Sequence, residues 1–328
     1  MTLSQIAELA NVSVSTVSKA FADSSEISID TKELIFKIAR DNNCFEKYYK
    51  GKYSKKVIAV ICPEIQSEFY YKIVTELECN IRKRNAVMVV SIYNFDDTIK
   101  KELFEYHAFI QKADGIVILG SPSQIVNKSH VPAVAFFTPA DKSSDYIDTI
   151  TFDMNKHIHD TVTYLCENGH THIGYIGEQK TTSKYEDFVS AMTRNGLSVN
   201  DAYIKISNTR FEDAGYTAMS ELIDSGNLPT AIFCAYDYIA LGAIKCAREH
   251  GLKIPDDLSI IGSDGITVGA YLETPLTSIS IDSENVCETA IEILMKKIDN
   301  KYLNFKQEQP ASGGLIKRAS VKNLNLKD

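Results

Sequence analysis

The sequence predicts an α/β body behind a small three-helix unit at the N-terminus, and two patterns carry that reading. Beyond Lys56, short continuous apolar runs alternate with amphipathic stretches, the signature of a parallel sheet covered by helices on both faces. Before Lys56 there is no such run, only three short stretches of helical period, each opened by a residue able to cap a helix.

In the first stretch Thr2 and Gln5 stand three apart, so each side chain can reach the other's backbone N–H and open a helix. Ile6, Leu9 and Ala10 then share a face. Asn11-Val12-Ser13 interrupts the pattern, Ser13 can cap a second helix, and Val17 with Phe21 gives that helix an apolar stripe. Two short helices joined by about three residues match a helix-turn-helix connection. The outward positions of the second helix are Ser15, Thr16, Ser18 and Lys19, donors that reach phosphates and base edges without filling a groove. An ordinary helical hairpin capped by hydroxyl residues fits the same pattern. A third helix, opened by Ser28 or Asp30, carries Leu34, Ile35, Ile38 and Ala39 and closes a small core. Next come Lys47, Lys50, Lys52, Lys55 and Lys56 with Tyr48, Tyr49 and Tyr53 interleaved and no acid, which suits either phosphate contact or a solvated linker.

The body reads as strands over 57–62, 87–93, 115–119 and 133–137 with helices over 71–84 and 98–112. A second series follows, with strands over 173–176, 203–206, 231–235 and 258–262. Its helices span 156–168, 184–195, 214–225 and 238–250. Alternation of this kind implies doubly wound α/β subdomains.

Composition narrows the function. A chain of 328 residues, 44% hydrophobic and 24% charged, can bury two or three cores. The net charge of −8 conceals a division: residues 1–56 hold nine Lys or Arg and seven Asp or Glu, so the first unit is +2 and the remainder −10. No apolar run has the length of a membrane span, and residues 1–10 lack the features of a signal peptide, so a cytoplasmic protein is expected. Seven scattered cysteines without a Cys-x-x-Cys pair predict neither disulfide nor zinc. His157-x-His159 and His170-x-His172 lack a third ligand at zinc spacing and read as surface or cap histidines. With no nucleophile elbow, Walker loop or dinucleotide fingerprint, no catalytic residue, metal or cofactor is expected.

The segment Leu-Ser-Gln-Ile-Ala-Glu-Leu-Ala-Asn-Val-Ser-Val-Ser-Thr-Val-Ser-Lys-Ala-Phe, with Ile27-Ser28 and Thr31 after it, resembles the headpiece of the lactose-repressor and galactose-repressor (LacI/GalR) family. Fragments in matching order extend the likeness over nearly the whole chain. They are Asp114-Gly115-Ile116-Val117, 168–177, Asp237-Tyr238-Ile239-Ala240-Leu241-Gly242, 255–262, Pro275-Leu276-Thr277-Ser278-Ile279 and Leu315-Ile316-Lys317-Arg318-Ala319-Ser320. The resemblance implies a helix-turn-helix headpiece over 1–46, a basic hinge over 47–56 and a core over 57–328. That core would hold two subdomains of periplasmic-binding-protein type with crossovers near 150–155 and 280–285. It further implies that Val14, Ser15 and Lys19 read bases, and that Thr2, Ser13, Thr16, Ser18, Ser28 and Thr31 contact phosphates. Lys47, Lys50 and Lys52 join the phosphate contacts; counted from the headpiece Tyr53 stands where the family's hinge wedge, a leucine, belongs, and counted back from the first strand Lys50 takes that place.

For the cleft the resemblance points to Phe69, Tyr70, Ser121, Asp153, Lys184, Tyr236 and Asp264 as effector contacts. An aromatic platform with a carboxylate suits a polyhydroxylated ligand, although Phe69 and Tyr70 also suit a core cluster and Asp264 a turn or cap. Three positions depart from the family: Lys184 replaces an arginine fork with a point charge, Tyr236 replaces Asn, and Met154 follows Asp153 in place of Asn. The expected protein is a homodimeric repressor on double-stranded operator DNA, controlled by a small effector of carbohydrate type, with no membrane partner. The competing readings are a solute-binding protein for transport and an effector-independent dimeric DNA-binding repressor.

Overall fold

The computed structural model describes residues 1–45, 55–137, 146–300 and 305–326, which fall into two compact units, Met1–Lys56 and Val57–Asp328.

The first unit is built from α1 (Leu3–Leu9), α2 (Val14–Phe21) and α3 (Ile29–Asp41). Each starts on a hydroxyl cap: Thr2 and Gln5 form a reciprocal capping box, Ser13 accepts from the Thr16 amide, and Ser28 accepts from the Thr31 amide. Ile6, Ala7, Ala10, Val17, Ala20, Ile35 and Ala39 close the core. Phe21, Phe36 and Phe45 pack edge to face or tilted against one another, with centroids 5.5 to 5.9 Å apart. Leu9 and Leu34 depart from expectation and stay 59% and 46% exposed. Ala7 takes the inward position beside Ile6 and turns Leu9 outward.

The second unit holds two six-stranded sheets. In the first, β1 (Lys56–Cys62), β3 (Gly115–Leu119), β4 (Ala133–Phe136), β5 (Asp148–Thr151) and β11 (Glu308–Pro310) run parallel, with β2 (Ala86–Ile92) outside β1. Covering helices are α4 (Glu68–Lys83) and α5 (Asp97–Glu105), the latter continuing as a π turn over Tyr106–Ile110 where one long helix was expected. In the second sheet β7 (Ile204–Ser207), β6 (Ile173–Glu178), β8 (Ala231–Cys234), β9 (Ser259–Ser263) and β10 (Thr277–Ile281) are parallel, and β12 (Gly313–Ile316) closes the edge antiparallel. Its helices are α6 (Met154–Glu167), α7 (Thr182–Arg194), α8 (Phe211–Asp224), α9 (Asp237–Glu249) and the short α10 (Thr267–Ala270).

Among the described residues the chain passes between the sheets three times: after β5, after β10, and at Ala311–Ser312 between β11 and β12. The resemblance named crossings near 150–155 and 280–285 and none near 311. After the second, α11 (Ser283–Asp299) returns to pack Val286, Cys287, Ala290, Ile291 and Leu294 on the first sheet. Neighbouring crossings are hydrogen-bonded, Ala311 N to Thr151 O at 2.7 Å and Asp282 N to Ser312 O at 3.0 Å.

In both sheets the strand order reverses beside the first strand, between β1 and β3 and between β6 and β8. Loops leaving the carboxyl ends there form the crevice that open α/β sheets use for ligands. Against the second sheet, α8 and α9 touch backbone to backbone: a Cβ on Gly215 would overlap the Ile239 carbonyl, and one on Gly242 the Glu212 carbonyl.

Candidate functional site

Two surfaces carry chemistry. On the first unit, burying Val17, Ala20 and Phe21 turns Val14, Ser15, Ser18 and Lys19 outward on α2. Thr16 is half-buried, its hydroxyl 2.8 Å from Ser13 Oγ, and Ser28 and Thr31 repeat the arrangement at 2.8 Å. Lys19 donates to Glu26 in the turn after α2, an exposed pair of small energetic weight. The outcome is a helix presenting an apolar patch, hydroxyls and one tethered cation to solvent.

The second surface lies between the subdomains, where loops from both sheets meet. Phe69 and Tyr70 open α4, with rings 5.1 Å apart, and Phe137 joins them at 5.5 Å from Phe69. Facing them, Asp264 follows β9 in a left-handed backbone (φ 116°) and Lys184 reaches in from α7. The Lys184 ammonium donates to the Ala235 carbonyl at 2.7 Å and to Ser263 Oγ at 3.2 Å, and lies 3.7 Å from Asp264. Burial pushes the Asp264 carboxyl up to about 7; Lys184 pulls it down, and the charge of Asp237 adds to the rise. Asp237 is itself pushed up to about 6 by burial, although Ser278 Oγ donates to it at 2.6 Å and the Ile266 amide at 2.8 Å.

Nearer β1 and β6, Arg210 bridges the subdomains. Its two terminal nitrogens meet Glu64 at 3.0 and 3.4 Å, and its Nε meets Glu178 at 3.3 Å. The Thr267 amide donates across to Glu68 at 2.6 Å. These contacts shut the crevice to a cavity of about 10 Å³ beside Phe69, Ile73, Asp264 and Ile281, room for about one water.

Residues 2–43 match the family model described as bacterial regulatory proteins, lacI family, and residues 162–321 match that of a periplasmic binding protein-like domain, together more than half of the chain. The chain belongs to the LacI family. This LacI-family regulator is 29% identical over 317 residues to the HTH-type transcriptional repressor CytR of Escherichia coli (strain K12), covering 92% of its own length and 91% of that protein's. In fold it is similar to the lac repressor dimer bound to operator and the anti-inducer ONPF, with 21% identity, a TM-score of 0.72 and coverage of 98% and 99%. It is likewise similar to the transcriptional regulator CelR–cellobiose complex, with 21% identity, a TM-score of 0.69 and the same coverage. Such relatives are repressors, not enzymes.

The regulator brings Phe69, Tyr70, Lys184 and Asp264 to one crevice. Tyr236 stands by the crevice's other end, its hydroxyl accepting from the Phe211 amide at 3.0 Å. Ser121 follows β3, and its hydroxyl accepts from the Ser123 amide at 3.2 Å, a turn within its own loop. Asp153 is exposed and caps α6 through the Lys156 amide at 2.9 Å. Lys47, Lys50, Lys52 and Tyr53 lie outside the described residues. Of the two settings expected for the histidines, surface or cap, His170 takes the cap: its amide donates to the Leu165 carbonyl at the end of α6, and its ring is buried, with Nδ1 2.9 Å from Thr230 Oγ1 and Nε2 3.0 Å from the Lys322 carbonyl. Sequence reasoning missed Glu64, Glu178, Arg210 and Phe95; the one available signal was Glu178, an acid closing an apolar strand run.

The raised carboxyls give a pH prediction. Asp237 and Asp264 keep their protons in the folded state where the unfolded chain, with carboxyls near 3.8, has lost them. The folded state therefore binds more protons, and their contribution to stability falls as pH rises from about 4 through about 7. The urea midpoint is expected to drop less between about pH 5.5 and about pH 7.5 in Asp264→Asn than in the parent chain. Parallel pH profiles for the two proteins would refute the assignment.

Proposed function

We propose that this LacI-family regulator is a cytoplasmic homodimeric repressor whose hold on its operator is set by a small hydroxyl-rich effector, a carbohydrate or close relative, bound between the two subdomains of its body. Two headpieces occupy half-sites of a near-palindromic operator, about ten base pairs apart centre to centre. Val14, Ser15 and Lys19 read bases in the major groove, and Thr2, Ser13, Thr16, Ser18, Ser28 and Thr31 set register on phosphates. Lys47, Lys50 and Lys52 add sequence-independent attraction, with Tyr53 at the wedge position.

The observation that carries the effector half is the convergence of Phe69, Tyr70, Lys184 and Asp264 on the crevice where the strand ends of both sheets meet. Rings offer faces to the C–H side of a sugar, while the carboxyl and ammonium offer hydrogen bonds to its hydroxyls. The cellobiose-bound CelR complex supports a carbohydrate, and the operator-bound lac repressor dimer supports the two-headpiece arrangement.

The test is selection from a randomised duplex pool followed by titration with neutral sugars and nucleosides. One near-palindromic site is expected to emerge, and at least one compound is expected to change its affinity about 5- to 150-fold. A pool that stays random after selection refutes the repressor reading. A clear site combined with no saturable heat from any compound leaves a body that only dimerises.

A further inference from the structure

The Arg210 guanidinium has a setting of its own, separate from Asp264 and Lys184. Its carbon lies 5.2 Å from the Phe95 ring centre, on the first subdomain, and 4.5 Å from that of Phe211, on the second. All three of its nitrogens meet carboxylate oxygens of Glu64 and Glu178, both buried. The second Glu178 oxygen is taken by the Lys180 amide at 2.7 Å, and Lys180 Nζ sits 4.2 Å from the Phe95 ring centre. Two rings beside the guanidinium carbon and two acids around its nitrogens form the chemistry that recognises a flat cation.

The backbone agrees. Phe95 and Phe211 both have left-handed φ values, 62° and 60°, a region bulky residues seldom occupy. Such strain persists where the surroundings impose it, and here it aims both rings at the same guanidinium.

We propose that the pocket formed by Phe95, Phe211, Glu64 and Glu178 is a planar-cation site that the chain fills with its own Arg210, holding the cleft shut with no outside ligand. The ligand class is a guanidinium, an amidinium or an aminated heterocycle. A free molecule of that class must compete with a tethered arm at millimolar effective concentration, so the parent chain leaves it unbound at low millimolar levels. The proposal stands apart from the carbohydrate reading, because it concerns closure by the chain itself.

The experiment titrates ethylguanidinium into the full chain and into Arg210→Ala, by calorimetry. Saturable binding is expected in Arg210→Ala at about 1–10 mM, none in the parent, and at least about 10-fold weaker binding of ethylammonium, which has the charge without the plane. Folded Arg210→Ala that shows no saturable heat, or the same heat as the parent, overturns the proposal. A second variant, Glu64→Gln, keeps the arm and removes the acid on the opposite subdomain. Amide exchange over residues 93–97 and 209–212 is then expected to quicken about 10-fold or more while β3 and β8 keep their protection. Unchanged exchange in those loops also overturns the proposal.

Discussion

Replacing Lys19 by Ala is expected to lower affinity for the selected operator about 10- to 100-fold, the 1–3 kcal/mol of one good base contact, while binding to random duplex changes far less. Lys19 is the one cation on the outward face of α2, in line with Val14, Ser15 and Ser18. Removing a phosphate contact would weaken every sequence alike; removing a base contact flattens the preference at one position. The Glu26 pairing sharpens the test, because Lys19→Ala leaves an exposed acid beside the outward face of α2 with its partner gone. If randomised-site selection with Lys19→Ala returns the same operator with the same stringency, base reading belongs to another side chain.

Gly215→Ala is expected to destabilise the body by about 3 kcal/mol or more. Two effects oppose each other. Helix propensity favours Ala over Gly by about 1 kcal/mol in α8. Packing works against it, since the added methyl would overlap the Ile239 carbonyl of α9. The obstacle is backbone, which cannot rotate aside, so the helices must separate along a contact that also depends on Gly242. A urea midpoint at or above that of the parent would show that α8 and α9 have slack the structure denies.

What the sequence disclosed follows from how locally each feature is encoded. The headpiece caps are contacts three residues apart, so Thr2, Ser13 and Ser28 could be read directly. Buried strands such as β1, β3, β4 and β8 are runs of apolar residues and declare themselves. The strands β5 and β10 stayed hidden because they are polar and still buried: Asp148 lies 2.7 Å from Lys297 Nζ and 2.7 Å from the Gln307 amide, partners about 150 residues away. Distance in sequence also hid the Arg210 bridge, whose partner Glu64 is 146 residues upstream. Family likeness led to Asp264 and Lys184; it held nothing about Glu64 and Glu178, the acids that Arg210 pairs with.

The three linked crossings between the sheets bear on how force travels through the body. A single connecting strand would let the two halves swivel in any direction, and a pair would still permit twisting about the line between them. Three, stitched side by side by Ala311 with Thr151 and by Asp282 with Ser312, act like the knuckles of a door: rotation about one axis stays soft and the others stiffen. Whatever pries the halves apart or draws them together is thereby converted into one reproducible swing, and residues 308–316, which supply the last knuckle and an edge strand to each sheet, work as part of that mechanism.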